Sequence, residues 1–261
     1  MPRDILKEII QKKKEKILLA KQQFPEADLR SKIQNLPPPR PFLESIRKVR
    51  QISLIAEIKR SSPSQGIIRE EFNLTEIAKA YNEAGVQAVS VLTEEDYFGG
   101  NLNYINEVKN LVNLPILRKD FILEPYQIYE SYAYGADAIL LIADLLSKEK
   151  LSQFLQISDT LGLDCLIEVH DEKEIKKVLS LKVPLIAINN RDLHTLEVDF
   201  KITEKLFTLI PKEKAVVVES GIKNYQDILF LKILGVSAVL IGTTFMEAQD
   251  IKAKIEEVMG W

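Results

Sequence analysis

The segment PILRKDFILEPYQIYESYAYGADAILLI, residues 115–142, places two short apolar runs, Pro115 to Lys119 and Asp137 to Ile142, on either side of an amphipathic stretch from Tyr126 to Tyr134. The outer runs have the length and isoleucine-leucine content of buried strands, and the middle one has helical spacing. Two strands joined through a helix run parallel. Gly135 stands where the helix has to end in a left-handed cap, a geometry glycine adopts without steric cost.

The unit recurs along the chain. Strand-like runs occupy Ser53 to Lys59, Val86 to Thr93, Pro115 to Lys119, Asp137 to Ile142, Leu163 to Val169, Val183 to Asn189, Ala215 to Glu219 and Ser237 to Ile241. Helical stretches such as Leu74 to Ala84, Lys148 to Leu161 and Asn224 to Leu234 separate them. Continuously apolar strands alternating with helices mean a parallel sheet covered on both faces. Eight of them predict an α/β fold of the (β/α)₈ TIM-barrel type, and the glycine-rich first turn of an open dinucleotide-binding sheet is missing. Gly85 and Gly235 precede strands two and eight as Gly135 precedes strand four, and all three are read as structural caps.

Ahead of the first strand, Asp4 to Gln23 places Ile5, Leu6, Ile9, Ile10, Ile17 and Leu18 mainly on one side of a helix, with Asp4 as its N-cap. The run Lys12-Lys13-Lys14 is read as a solvated helix face, since the segment is mixed in charge. Leu36-Pro37-Pro38-Pro39-Arg40-Pro41 is too rich in proline for helix and closes this arm. The expected organisation is one barrel domain over 1–261 with an N-terminal helical extension over 1–45.

With 261 residues, 46% of them hydrophobic, the chain supports one large core. A net charge of -3 argues against nucleic acid as partner. No stretch has the form of a signal peptide or membrane span, and the single cysteine, Cys165, allows no disulfide within the chain. A cytoplasmic protein without a membrane role is expected, with a monomer favoured.

Catalytic groups of a barrel sit at the C-terminal ends of its strands. Side chains alternate along a strand, so Glu57 shares a face with Lys59, Leu117 with Lys119, Leu166 with Glu168 and Ala187 with Asn189. If Ile58 packs under the helices, two carboxylates and two ammonium groups converge at the barrel mouth. Any one such pair reads equally well as a structural ion pair. Four strands ending this way favour an active site, because buried charges are costly unless paired or used.

Strands seven and eight run into Glu219-Ser220-Gly221 and Ile241-Gly242-Thr243. Glycine after each strand lets backbone N–H groups approach an anion, and these two loops are where barrels often hold phosphate. The loop after strand one, with Ser61, Ser62 and Ser64, adds hydroxyls. His170 and His194 are read as loop or surface histidines, and no metal-ligand spacing is present. Tyr97-Phe98, ahead of Gly99-Gly100, fits either an apolar wall for an aromatic ring or core.

Five segments, Ile55-Ala56-Glu57-Ile58-Lys59-Arg60-Ser61-Ser62-Pro63-Ser64, Leu117-Arg118-Lys119-Asp120-Phe121-Ile122, Leu166-Ile167-Glu168-Val169-His170, Ile188-Asn189-Asn190-Arg191-Asp192-Leu193 and Glu219-Ser220-Gly221-Ile222, together resemble the indole-3-glycerol-phosphate synthase family. The likeness runs from the arm to about Met246. It implies a lyase of tryptophan biosynthesis that takes 1-(2-carboxyphenylamino)-1-deoxyribulose 5-phosphate through ring closure, decarboxylation and dehydration, with no cofactor and no metal. It further implies Glu57, Lys59, Lys119, Glu168, Asn189 and Ser220 as catalytic residues. Ser62, Phe98, Leu117, Phe121, Leu140, Arg191, Leu193, Gly221, Gly242 and Thr243 are the implied substrate-binding residues, and the arm lies over the mouth. Competing readings are another phosphate-binding barrel, such as an isomerase or a Schiff-base aldolase using Lys59 or Lys119, and a non-catalytic scaffold. An isomerase needs only one acid and base pair, and a scaffold should have lost some of the polar strand ends.

Overall fold

A computed structural model describes residues 5–47 and 51–261. Eight parallel strands close into a barrel: β1 (Ser53–Ile58), β2 (Ala88–Leu92), β3 (Ile116–Lys119), β4 (Ala138–Ile142), β5 (Asp164–Val169), β6 (Leu185–Asn189), β7 (Ala215–Glu219) and β8 (Ala238–Ile241), with β8 pairing back onto β1. All eight strands expected from the sequence form, each trimmed by at most two residues at an end. The helices that cover them include α4 (Leu74–Glu83), α5 (Asn103–Leu111), α6 (Pro125–Ala133), α7 (Lys148–Leu161), α8 (Glu172–Leu179), α9 (Lys201–Phe207) and α10 (Tyr225–Leu234). Gly85, Gly135 and Gly235 have φ of 73°, 91° and 100°, as their capping role requires.

Strand parity divides the core in two. Leu54, Ala56 and Ile58 of β1, with Ile139 and Leu141 of β4 and Ile167 and Val169 of β5, pack outward under the helices. Ile55, Leu117, Leu140, Leu166, Ala187, Val217 and Leu240 fill the barrel interior. Ile58 is therefore on the helix side, so Glu57 and Lys59 rise from the inner face. Ala88, Ala138, Ala215 and Ala238 line the interior near the strand starts, and the room they leave is filled by Phe42 and Ile46 of the short helix α3 (Phe42–Ile46). The pattern of the sequence does not announce this plug.

The arm comprises α1 (Ile5–Gln23), α2 (Glu26–Ile33) and α3. Asp4, expected to cap α1, lies outside the described residues. Leu6 and Ile9 join the interior cluster and Ile17 packs with Tyr126 and Tyr129 of α6, whereas Leu18 is exposed. Lys13 departs from the solvated face predicted for it: it is 6% exposed, with Nζ 2.7 Å from Oδ1 of Asp120. Lys16 pairs with Glu95 and Asp96 and Lys21 with Glu124, so α1 is held to the loops after β2 and β3. Among the described residues no helix is long and apolar enough to cross a membrane.

Candidate active site

The strand ends converge on one cleft of about 1210 Å³ at the C-terminal mouth of the barrel. Register sets who meets whom: Asn189 of β6 stands beside Glu219 of β7, and Ile142 of β4 beside Glu168 of β5. Glu57, Lys59, Lys119, Glu168, Asn189, Ser220, Phe98, Phe121, Leu140, Arg191, Leu193, Gly221, Gly242 and Thr243 all line it. Two expected residues do not. Leu117 lies fully buried one step below Lys119 on the same strand face, and Ser62 is buried with its hydroxyl 3.3 Å from that of Ser64.

Charge in the cleft is organised as two clusters. Lys59 Nζ lies 2.8 Å from Oε1 of Glu57. Lys119 Nζ lies 3.2 Å from Oε2 of Glu168 and 3.1 Å from Oε2 of Glu219. Burial alone would lower the Lys119 pKa, but Glu168, Glu219 and Glu57 outweigh it and hold the group above its ordinary value. Glu168, despite burial, is driven well below the carboxylate range by Lys119 and His170. Glu219 goes the other way, to about 8, because burial and the neighbouring negative charge of Glu168 exceed the pull of Lys119. Two adjacent carboxylates with opposite shifts are the arrangement in which one serves as base while its neighbour keeps a proton.

Glu219 belongs to this group although it is not among the catalytic residues expected from the sequence. The signal was available: by parity it follows Val217 on the inner face of β7, as Lys119 follows Leu117. His170 departs from the loop or surface placement expected of it. Its ring is largely enclosed, with Nε2 3.2 Å from Oε1 of Glu168 and Nδ1 3.4 Å from Oε2 of Glu174.

Beside the charged groups is an apolar wall. Phe98 and Phe121 meet with ring centroids 6.3 Å apart, and Leu140, Ile142 and Leu193 extend the surface. Phe98 is positioned by buried Glu94, whose Oε2 accepts from the backbone N–H groups of Tyr97 at 2.8 Å and Phe98 at 3.1 Å. Asn189 Oδ1 accepts from the Arg191 N–H at 2.9 Å, and the Arg191 guanidinium donates to the Leu196 carbonyl at 2.7 Å. Half-burial lowers the Arg191 pKa somewhat, opposed by Glu57.

The remaining wall is backbone from the last two loops. Ser220 and Gly221 take φ of 69° and 86°, turning the chain sharply after β7. Gly242 follows β8, and Thr243 opens the short helix α11 (Thr243–Met246). Gly242 has a second reason to be glycine: a Cβ there would stand against the Glu57 carboxylate and 3.0 Å from its Cβ.

A family model for indole-3-glycerol phosphate synthase matches residues 6–258. The chain is 52% identical over 219 residues to an indole-3-glycerol phosphate synthase of Acetivibrio thermocellus, covering 84% of each chain. It is 49% identical over 258 residues to one of Caldanaerobacter subterraneus, covering 98% of this chain and 99% of the other. Among solved structures, 3-hexulose-6-phosphate synthase from Salmonella typhimurium superposes with a TM-score of 0.66 over 80% of this chain and 97% of its own; at 11% identity it speaks for the barrel fold alone. The chain belongs to the indole-3-glycerol phosphate synthase family, carboxy-lyases of tryptophan biosynthesis.

Proposed function

We propose that the cleft binds 1-(2-carboxyphenylamino)-1-deoxyribulose 5-phosphate and converts it to indole-3-glycerol phosphate with loss of carbon dioxide and water. The observation that carries the assignment of roles is the Lys119 ammonium held between Glu168 and Glu219 in a cleft that Phe98 and Phe121 also line. The anthranilate ring packs on that wall, and Ser220, Gly221, Gly242 and Thr243 take the phosphate through backbone N–H groups and hydroxyls. The two ends together hold the carboxyl-bearing ring carbon against the ribulose carbonyl.

As that carbon attacks, the carbonyl oxygen gains negative charge, and Lys119 donates a proton to it. The carboxylate then leaves as carbon dioxide and its bonding pair restores the aromatic ring. Lys59, fixed by Glu57, positions the carboxylate beforehand and protonates the departing hydroxyl. Glu168, kept ionised, removes the proton from the adjacent carbon to complete the indole. Asn189 and Arg191 orient the sugar. Glu219, carrying a proton at neutral pH, hydrogen-bonds the Glu168 side and limits the negative charge around Lys119.

In the same reading the chain is one barrel domain with an N-terminal helical arm, whose helices α1 to α3 pack on its mouth and base, and it acts as a cytoplasmic monomer. Addition of the substrate to the purified protein should produce indole fluorescence, and Lys119→Ala should abolish it. Folded native protein that gives no indole signal rejects the assignment. Borohydride trapping of a substrate adduct on Lys59 or Lys119 would instead indicate Schiff-base chemistry.

A further inference from the structure

Glu168 divides its two oxygens between cations from different directions. Oε2 faces Lys119, from the end of β3, at 3.2 Å, and Oε1 faces the His170 ring, two residues on and just past the end of β5, at 3.2 Å. The far side of that ring is 3.4 Å from Oε2 of Glu174 on α8, and the same oxygen accepts from the His170 backbone N–H at 2.8 Å. Asp171 caps α8 by accepting from the Glu174 N–H at 2.7 Å, so the helix start that carries Glu174 is itself fixed. His170 does not line the cleft.

An imidazole with a carboxylate oxygen beyond each ring nitrogen is matched by N–H on both, and only the imidazolium supplies two; at Nε2 the approach to Glu168 is a charge contact rather than an aligned hydrogen bond. Other charged groups around Glu168 are Lys119 on β3, Glu219 on β7 and, acting on both of these, Glu57 on β1. Lys119 reaches only Oε2 of Glu168 and also contacts Glu219, so Oε1 is left to a second partner. That partner is the His170 ring behind it.

We propose that His170 is a positioning residue for Glu168: as an imidazolium clamped between Glu168 and Glu174, it fixes one carboxylate oxygen and leaves the other, as an anion, turned to Lys119 and the cleft. Glu174 is the strut of the clamp. Burial would lower the imidazole pKa, yet the two carboxylates raise it to about 10, in keeping with this geometry. The inference rests on the functional reading above, in which Glu168 is the base.

Two measurements test it. The chain has two histidines, so nitrogen-15 spectra with His194→Gln for assignment isolate the His170 ring. It should remain a doubly protonated imidazolium above pH 8; a ring titrating near 6.5 overturns the clamp. The pH profile of kcat/KM is then compared for the native protein, His170→Asn and Glu174→Gln with the same substrate. The acid limb, which reports the free enzyme's base, should rise by about 1 to 2 pH units in His170→Asn and by less in Glu174→Gln, with rates converging at high pH. Coincident acid limbs in folded variants overturn the inference while leaving the activity assigned. Absent native turnover would instead remove the functional reading beneath it, a result the ring spectrum cannot mimic.

Discussion

Lys119 and Glu219 meet at 3.1 Å between Nζ and Oε2, at the ends of strands β3 and β7 that do not pair with each other. Closure of the barrel brings them across its mouth, where Glu168 already claims the same ammonium. Crowding makes Glu219 hold its proton up to about pH 8. The native state therefore binds a proton that the unfolded chain releases near pH 4 to 5, and the stabilisation from that proton fades as pH rises through about 8. Calorimetry should show the native Tm declining from pH 6 to 9. Glu219→Gln, which mimics the protonated form, should flatten that decline; an equal slope in both proteins would show that Glu219 is ionised throughout.

Lys13 is expected to matter to stability well beyond an ordinary helix lysine. It and Arg118 hold Asp120, whose pKa, which burial would raise, is brought down to about 2. Replacing Lys13 by Met leaves a buried carboxylate short of one cation and should cost on the order of 3 kcal/mol in urea unfolding. Asp120→Asn in the same background should recover part of the loss, a coupling that separate sites would not show.

The same Asp120 predicts an acid dependence of the opposite sign to that of Glu219. Its folded pKa is depressed, so its contribution is complete above about pH 4 and disappears as pH falls toward 2. Its size is about 2 kcal/mol. Stability measured from pH 5 to 2 should fall less steeply in Asp120→Asn than in the native chain.

Gly242→Ala separates activity from folding. The added methyl meets the Glu57 side chain rather than packed backbone, so the strand end survives while Glu57 and its partner Lys59 are pushed aside. A shift of about 1 Å in such a group costs roughly 100-fold in rate. We expect kcat/KM to fall by about that factor with Tm nearly unchanged; an unaffected rate would mean the Glu57–Lys59 pair has no part in turnover.

Cys165, on β5, is buried under the helices, and burial pushes its thiol up to about 12. The reactive thiolate is then scarce in the folded protein. A thiol reagent at pH 8 should label it at the rate of unfolding, making the lone cysteine a reporter for the stability measurements above. Fast labelling of folded protein would indicate local opening of β5.

The amino-acid sequence determined the barrel. Apolar strand runs such as Asp137 to Ile142, spaced by helical stretches and ended by Gly85, Gly135 and Gly235, carry their own local instructions. Parity along β1, β3, β5 and β6 similarly placed Glu57, Lys59, Lys119, Glu168 and Asn189 at the mouth, since alternation is a property of each strand alone. Three things depended on closure. Lys13 has the pattern of a solvated helix residue until α1 docks beside Asp120, more than a hundred positions away. His170 reads as a loop histidine until Glu168 and Glu174 enclose it. Glu219 gains its distinctive protonation only where β5 and β7 place two carboxylates around one ammonium. Local order follows from steric and hydrophobic patterns that neighbouring residues share. The charge state of a buried group follows from whichever distant groups surround it, and that was decided only by the tertiary structure.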